Sequence, residues 1–289
     1  MIRLDAATVA LQWSVGGMAM CWFTTRRRLV GLGYGWLLRG VFAVLAALGV
    51  AAGLSTGGGA GVREWSAALT TVSCVVVLAV SVRRRRAGVG GASADHDRRT
   101  ARVAAMTGIE REVLARSEDG PEFRPILDLI PVAIGFIGLI AGGLSAADGT
   151  TTDSVVSVLR VLVGAVFLGA VTDAMLLGHW YLVQPGLPRS LLNEIVGAVG
   201  ALWPLELAVM ILPTGMLSVL SGTVDDGWSG QLGWFWVACA VTTIALVFVT
   251  RAALRERQYS AVMAATGLLY LAILTGFGMD LVARAVLAG

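Results

Sequence analysis

The sequence predicts an all-α integral membrane protein with about eight transmembrane helices. Its residues are 56% hydrophobic and only 14% charged, and the mean hydropathy is +0.78, whereas soluble domains usually carry about 25% charged residues. The apolar residues form long blocks, and clusters of arginine separate these blocks. Because a bilayer-spanning helix needs about 20 apolar residues, each block is long enough for one crossing. Membrane lipids are therefore the first expected partner.

A sliding window of about 19 residues divides the chain into eight candidate spans. In chain order these cover residues 6–24, 37–55, 65–82, 127–147, 157–183, 190–213, 231–250 and 259–283. The spans define three parts of the chain. The first three spans lie within residues 1–82, a linker covers residues 83–126, and the last five spans lie within residues 127–289.

Arginine clusters predict the orientation of the spans. They follow the first, third, fifth and seventh spans and include Arg26, Arg83, Arg189 and Arg251, whereas the glycine-, threonine- and aspartate-rich opposite boundaries carry only Arg63. Positively charged boundaries are typically cytoplasmic, so both termini are predicted to be extracytoplasmic. The positive flank of the first span follows it, unlike that of a cleavable signal peptide. All 22 basic residues are arginine, which favours a GC-rich bacterial source and hence a bacterial cytoplasmic (inner) membrane.

The cytoplasmic linker begins RRRRAGVGGASADHDRR, which is too polar and glycine-rich to predict an independently folded segment. Further along, TGIEREVLARS places Thr107 and Glu110 at the spacing of a capping box, with Ile109, Val113 and Leu114 able to share one face. This pattern predicts a short amphipathic helix on the membrane surface. The arginine clusters recur in the same order in the first and last four spans, which suggests two parallel four-helix halves.

The supply of cysteine and histidine argues against several cofactors. Cys21, Cys74 and Cys239 are isolated within apolar blocks, so covalent haem, thiolate-metal and iron–sulfur sites are not expected. His96 lies in the linker and His179 in the fifth span, so a bis-histidine haem within this chain is not expected either. No metal site is predicted. Nucleic acid is not an expected partner because membrane insertion accounts for the basic residues.

The stretch from Leu168 to Gly197 contains three ionisable residues within apolar sequence. Its QPGLPRS segment has two prolines and a glycine, which predict a turn between antiparallel helices. His179 and Glu194 lie at similar distances from this turn, so they are predicted to share a depth and to approach within reach of a direct or single-water hydrogen bond. Asp173 is rotated by about 120° from His179 and therefore faces a different neighbour.

Two further polar features lie in the later spans. Glu206 occupies the middle of the sixth span, where an ionised carboxylate costs on the order of 3 kcal/mol, so it is expected to be protonated, paired or hydrated. Asp280 and Arg284 have the i, i+4 spacing of a structural ion pair on one helix. Arg39 and Arg160 lie nearer span ends and are expected to be structural as well.

These residues leave three classes of function open, and no enzymatic reaction can be assigned. The preferred hypothesis is a subunit of a larger assembly with other protein subunits, serving quinone-linked electron transport or anchoring a redox enzyme. A histidine and carboxylates can hydrogen-bond a quinone and move protons. The candidate quinone or proton-site residues are His179, Glu194, Asp173, Glu206, Trp180 and Tyr181. The alternatives are a proton- or ion-coupled solute transporter using Asp173 and Glu206, and a non-catalytic membrane scaffold.

Overall fold

The computed structural model describes residues 5–55, 61–107, 121–147, 150–184, 186–213, 215–256 and 258–287, and every regular element in them is helical. The long helices are α1 (Ala6–Thr25), α2 (Leu32–Ser55), α3 (Val62–Arg83), α5 (Leu129–Ser145), α6 (Thr151–Val183), α7 (Arg189–Ile211), α9 (Gln231–Ala253) and α10 (Tyr259–Val286). Helices α4 (Gly90–Thr107) and α8 (Gly215–Leu220) lie in connections, and single 3-10 turns precede α4 and α5 at Arg85–Ala87 and Pro125–Asp128.

Seven helices of the described residues are long and apolar enough to cross a membrane, namely α2, α3, α5 with its preceding 3-10 turn, α6, α7, α9 and α10. Their outward faces carry exposed large apolar side chains such as Val76, Phe248 and Leu274, which lipid would cover. The chain is thus a multi-pass, all-helical membrane protein. Helix α1 is 20 residues long but contains the buried polar residues Gln12 and Ser14.

The long helices pack in a regular sequence of neighbours. Helices α1, α2, α3 and α5 contact one another in a closed ring, in which α2 lies against α1 and α3, and α5 lies against α3 and α1. Helices α6, α7, α9 and α10 form a second closed ring in the same order. Contacts of α6 with α1 and α5 join the two rings, so α1 and α6 lie at the centre of the molecule.

The backbones of α1 and α6 approach each other closely at Gly16. A Cβ atom added to Gly16 would lie 1.7 Å from the carbonyl oxygen of Ala165, and one added to Gly169 would lie 2.2 Å from the carbonyl carbon of Gly16. Only glycine fits at such a crossing, because any side chain would overlap the opposite backbone. The Trp13 indole N–H donates to the Thr172 hydroxyl at 3.0 Å beside this crossing. The crossing therefore fixes how the two rings meet.

The predicted linker contains a helix. Helix α4 occupies Gly90–Thr107, in the polar segment that the sequence predicted not to fold independently. Its first turn packs on the end of α1, because a Cβ atom on Gly91 would lie 2.5 Å from the Arg28 carbonyl oxygen. The Glu122 carboxylate lies beside Gly90 at the start of α4, where the helix dipole favours negative charge. The short amphipathic helix that the sequence predicted after Thr107 lies outside the described residues.

The helices of the bundle share two ends, which differ in the segments found there. The terminal end is where α1 begins and α10 ends, and the linker end is where α1 ends and α4 packs. Asp226 organises the α8–α9 connection at the terminal end by accepting hydrogen bonds from the backbone N–H groups of Trp228, Gly230, Leu232 and Gly233. Desolvation raises the pKa of Asp226, but these donors outweigh it and hold the pKa below its usual range.

The close approach of α1 and α6 leads us to expect that stability depends on glycine at position 16. Gly16→Ala should lower the stability of the detergent-solubilised protein by about 1–3 kcal/mol, because the added methyl group overlaps the Ala165 carbonyl. Gly267→Ala is the matched control, since a Cβ atom there meets nothing within 4 Å. Thermal unfolding of the two variants side by side measures the difference. Equal midpoints would contradict the close crossing.

Candidate functional site

A cluster of buried polar side chains lies near the terminal end, between the two rings. It consists of Gln12 from α1, Glu206 from α7, and Asp280 and Arg284 from α10, and none of the four is exposed. The Arg284 guanidinium donates through Nε to Asp280 Oδ2 at 2.7 Å and through Nη2 to Asp280 Oδ1 at 3.1 Å. Nη2 also donates to Gln12 Oε1 at 2.5 Å. We call these four residues the terminal cluster.

Part of the terminal cluster has no hydrogen-bond partner of normal geometry among the described residues. These atoms are both carboxyl oxygens of Glu206, Nε2 of Gln12 and Nη1 of Arg284. Glu206 lies next to both Asp280 and Arg284, so the two carboxyl groups interact directly. A buried polar group without a partner typically costs about 1–3 kcal/mol. Such a cost is tolerated at sites that hold protons or small ligands more readily than in a purely structural core.

Glycine at position 164 of α6 makes room for the terminal cluster. A Cβ atom there would lie 2.3 Å from Gln12 Nε2 and 2.9 Å from Asp280 Oδ1. The missing side chain therefore lets the polar groups of α1 and α10 meet over the surface of α6. The cluster is consequently a contact between the rings as well as a polar site.

Arg160 lies next to the terminal cluster and has a structural role. Its guanidinium donates to the backbone carbonyl oxygens of Val209 and Leu212, which lie at the end of α7. These carbonyls have no partner within the helix, and a cation at a helix C-terminus is favourable. Arg160 thus fixes the end of the helix that carries Glu206.

A second buried ion pair lies near the linker end. The Arg39 guanidinium binds Asp128 with two parallel bonds, from Nε to Oδ1 at 2.6 Å and from Nη2 to Oδ2 at 2.8 Å. Arg39 is 2% exposed and Asp128 is fully buried, and the guanidinium carbon lies 4.3 Å from the centre of the Phe123 ring. The sequence placed Arg39 near a span end where it could extend to water, but the structure encloses it between α2 and the start of α5.

Beside this pair lies a small cleft at the linker end, and its empty volume of about 360 Å³ includes space that is continuous with solvent. We call it the linker-side cleft. Thr25, Gly35, Arg39 and Phe123 are among the residues that line it, and Arg28 lies at its rim in an ion pair with Glu122 at 3.0 Å. The cleft lies between the end of α1, the start of α2 and the chain that leads into α5.

Asp173 lies in the core between this cleft and the α1–α6 crossing. The Tyr34 hydroxyl donates to Asp173 Oδ1 at 2.5 Å, and both residues are fully buried. The second carboxyl oxygen, Oδ2, has no hydrogen-bond partner of normal geometry among the described residues. The Thr24 hydroxyl also lies beside this carboxyl group. As the sequence predicted, Asp173 faces away from His179.

The other predicted site residues do not meet. His179 lies on the exposed surface and contacts the Tyr270 hydroxyl through Nδ1 at 3.4 Å, whereas Glu194 forms ion pairs with Arg26 and Arg27. His179 and Glu194 therefore do not form the direct hydrogen bond that was one of the two predicted contacts. The arginines that follow α1 bind the Glu194 carboxylate instead.

Trp180 and Tyr181 likewise do not form a common surface with His179. The Trp180 indole N–H donates to Gln184 Oε1 at 3.2 Å, and its ring packs against Tyr34 with centroids 5.6 Å apart. Tyr181 is buried and donates to the Pro188 carbonyl oxygen at 2.7 Å. Successive residues on a helix point about 100° apart, so the three aromatic side chains meet different neighbours.

Sequence reasoning missed Gln12, Tyr34 and Asp128 as members of these sites. Each was visible only as a polar residue within or beside an apolar block, and nothing near it in sequence indicated its partner. Within the described part of the chain, no group of three or more His, Cys, Asp or Glu side chains is placed to hold a metal ion. Comparisons with protein-family models, curated proteins and solved structures found no match.

Each partner of the buried Arg39–Asp128 pair should be strongly required for stability as long as the other is present. Removing one partner, as in Asp128→Asn, leaves a buried charge uncompensated and should cost about 3–5 kcal/mol. The double variant Arg39→Met/Asp128→Leu should cost less than either single change. Glu122→Gln is the control, because it breaks the half-exposed pair with Arg28, and such pairs are worth about 0–1 kcal/mol. Equal losses for Asp128→Asn and Glu122→Gln in thermal unfolding would contradict this assignment.

Proposed function

We propose that this chain is a proton-coupled transporter of a small solute, with Glu206 as the residue that binds and releases the coupling proton. The observation that carries the proposal is the terminal cluster, in which the unpartnered Glu206 carboxyl group lies against Asp280 and Arg284 in a fully buried environment. Charged groups inside a membrane bundle are costly, and they commonly mark ion and proton pathways.

The chemistry of the cluster suits one exchangeable proton. The Asp280 carboxylate is neutralised by Arg284, whereas Glu206 has no cation of its own among the described residues. Two neighbouring carboxylates disfavour a second negative charge, and burial disfavours it further. Glu206 therefore carries a proton when the site is closed and can release it only when water or a cationic solute reaches the carboxyl group.

The arrangement of the helices supports transport as well. We propose that α1 is the eighth span and that the two rings are parallel halves related by an axis along the membrane normal. Each ring has the same order of neighbours, and the central contact joins the first helix of each ring, α1 and α6. In transporters built from such halves, substrate and coupling sites lie at the interface between them. The hydrogen bond between Gln12 and Arg284 crosses this interface.

We further propose that the terminal end is extracytoplasmic in a bacterial cytoplasmic membrane. The arginines after α1, α3, α6 and α9 all lie at the linker end. Connections on the cytoplasmic side of a membrane typically carry the excess of arginine and lysine. Both termini then lie outside the cell. The terminal cluster lies in the outer part of the membrane, and the linker-side cleft opens to the cytoplasm.

Cysteine labelling tests this orientation. Thr223→Cys at the terminal end and Arg85→Cys at the linker end are both at exposed positions, whereas the three native cysteines are buried. A membrane-impermeant maleimide added to intact cells should label the first variant and not the second. Labelling of both from the same side would contradict the bundle, and labelling of Arg85→Cys alone would reverse the orientation.

The transport proposal is tested with the full chain in liposomes on a solid-supported membrane. Concentration jumps of amino acids, sugars, organic acids and inorganic cations should produce a transient current for one class, and its size should depend on pH. Glu206→Gln cannot release a proton and should reduce the current to that of empty liposomes. Glu194→Gln is the control, because its carboxylate lies in a surface ion pair with Arg26 and Arg27, and it should retain the current.

A quinone-linked subunit is the second candidate, and one observation favours it. His179 and Tyr270 place two hydrogen-bonding groups together on the exposed surface of α6 and α10. A quinone or a partner subunit arriving from the lipid could use such a pair. This candidate would replace the transporter if no solute class gave a current and co-purified quinone turned over in a manner abolished by His179→Leu.

A further inference from the structure

We propose that Asp173 is a second proton-binding residue, loaded from the linker-side cleft through the hydroxyl groups of Thr24 and Tyr34. The proposal rests on the proposed function, and it adds the side from which the proton arrives and the residues that pass it on. The terminal cluster and Asp173 lie on opposite sides of the α1–α6 crossing. Roughly 13 Å of helical rise separates Asp173 from Gly164, which lies under the terminal cluster.

The first observation is the incomplete bonding of Asp173. Its Oδ1 accepts the hydrogen bond from Tyr34 at 2.5 Å, while Oδ2 lacks a partner of normal geometry among the described residues, although the whole side chain is buried. A structural aspartate at this depth would be expected to have both oxygens satisfied or a cation beside it. One unsatisfied oxygen leaves a position where a proton can be bound.

The second observation is a chain of hydroxyl groups that leads towards the cleft. The Thr24 hydroxyl donates to the carbonyl oxygens of Met20 and Cys21, and it lies beside both the Tyr34 hydroxyl and the Asp173 carboxyl group. Thr24 and Tyr34 are buried behind the wall of the linker-side cleft, which their chain neighbours Thr25 and Gly35 line. Hydroxyl groups can donate and accept at the same time, so these two groups can pass a proton to the carboxylate when water from the cleft reaches them.

The proton transfer needs only a hydronium ion, a hydroxyl group and the Asp173 carboxylate. A hydronium ion that reaches the Tyr34 or Thr24 hydroxyl from the cleft gives it a proton as that hydroxyl passes its own proton to Asp173. The hydroxyl group is unchanged, the carboxylate becomes a neutral carboxylic acid, and water remains in the cleft. Release follows the reverse path when the cleft becomes less acidic.

The surroundings of Asp173 favour this role. The titratable groups that face it among the described residues are Tyr34 from α2 and Cys21 from α1, and the Arg39–Asp128 pair lies beyond Cys21. Helices α5, α7 and α10 also pack against α6, but no charged side chain from their described residues acts on Asp173. Asp173 thus has no adjacent cation to hold it permanently ionised.

Infrared difference spectroscopy of the full chain in liposomes tests this proposal. Acidification should produce a carbonyl band of a protonated carboxyl group that is absent in Asp173→Asn. In vesicles whose orientation is known from labelling at position 85, the band should appear when the linker side is acidified and not when the terminal side is. If Asp173→Asn leaves every band in place, Asp173 does not take up a proton and the proposal is wrong.

The relay is tested by the rate at which the carbonyl band of protonated Asp173 appears after a pH jump. Tyr34→Phe should slow it by at least about tenfold, since the hydroxyl that donates to Asp173 is lost, and Thr24→Val should also slow it. Tyr181→Phe is the matched control, because the Tyr181 hydroxyl is also buried but donates to the Pro188 carbonyl oxygen, and the rate should be unchanged. Equal rates in Tyr34→Phe and Tyr181→Phe would overturn the relay.

The experiment separates this proposal from the proposed function. The solute current and its loss in Glu206→Gln do not depend on the infrared band. A Glu206-dependent current without an Asp173 band would refute the proton site at Asp173 and leave the transporter standing. An Asp173 band loaded from the linker side without any solute current would refute transport and support the proton site.

Discussion

The close crossing of α1 and α6 is the contact on which the rest of the structure depends. Because Gly16 and Gly169 lack side chains, the two backbones touch, and the helices around them close into two rings that share this axis. The crossing brings Gln12 to Arg284 on one side and the end of α1 to Asp173 on the other. A single larger side chain at the crossing would separate the rings and both polar sites.

The buried ionisable groups are divided between two kinds of environment. Arg39 with Asp128, and Arg284 with Asp280, are ion pairs with several short hydrogen bonds. Such pairs offset much of the cost of burying their charges and help to specify which helices meet. Glu206 and Asp173 lack cations of their own, and each has at least one oxygen without a hydrogen bond among the described residues. The difference between the paired and unpaired carboxyl groups is what separates structural from proton-binding candidates.

The positions of Arg160 and Pro204 give the terminal cluster a further property. Pro204 lies within α7, two residues before Glu206, and cannot donate the usual helical hydrogen bond. Arg160 from α6 then binds the carbonyls at the end of the same helix. The segment of α7 that carries Glu206 is therefore weaker in its own hydrogen bonding and depends on a residue from α6.

The amino-acid sequence by itself determined that the protein lies in a membrane, that its fold is helical and where most of the long helices lie. Those properties follow from local composition, because apolar blocks of sufficient length are helical in lipid whatever their neighbours. It also indicated that Asp173 and Glu206 need an explanation, because a carboxylate within a long apolar block is costly to bury. The ends of the helices were predicted less accurately. Helix α6 begins at Thr151, six residues before the predicted start, because Thr150 and Asp153 cap it there.

Only the tertiary structure decided the partners. Arg39 meets Asp128 across 89 residues of sequence, Tyr34 meets Asp173 across 139, and Gln12 meets Arg284 across 272. Helical periodicity gives the direction of a side chain relative to its own helix, but not which helix lies opposite. For the same reason the turn between α6 and α7 did not reveal the partners of His179 and Glu194. The ion pairs of Glu194 with Arg26 and Arg27 depend on α1 ending beside α7, which is set by the packing of all the helices between them.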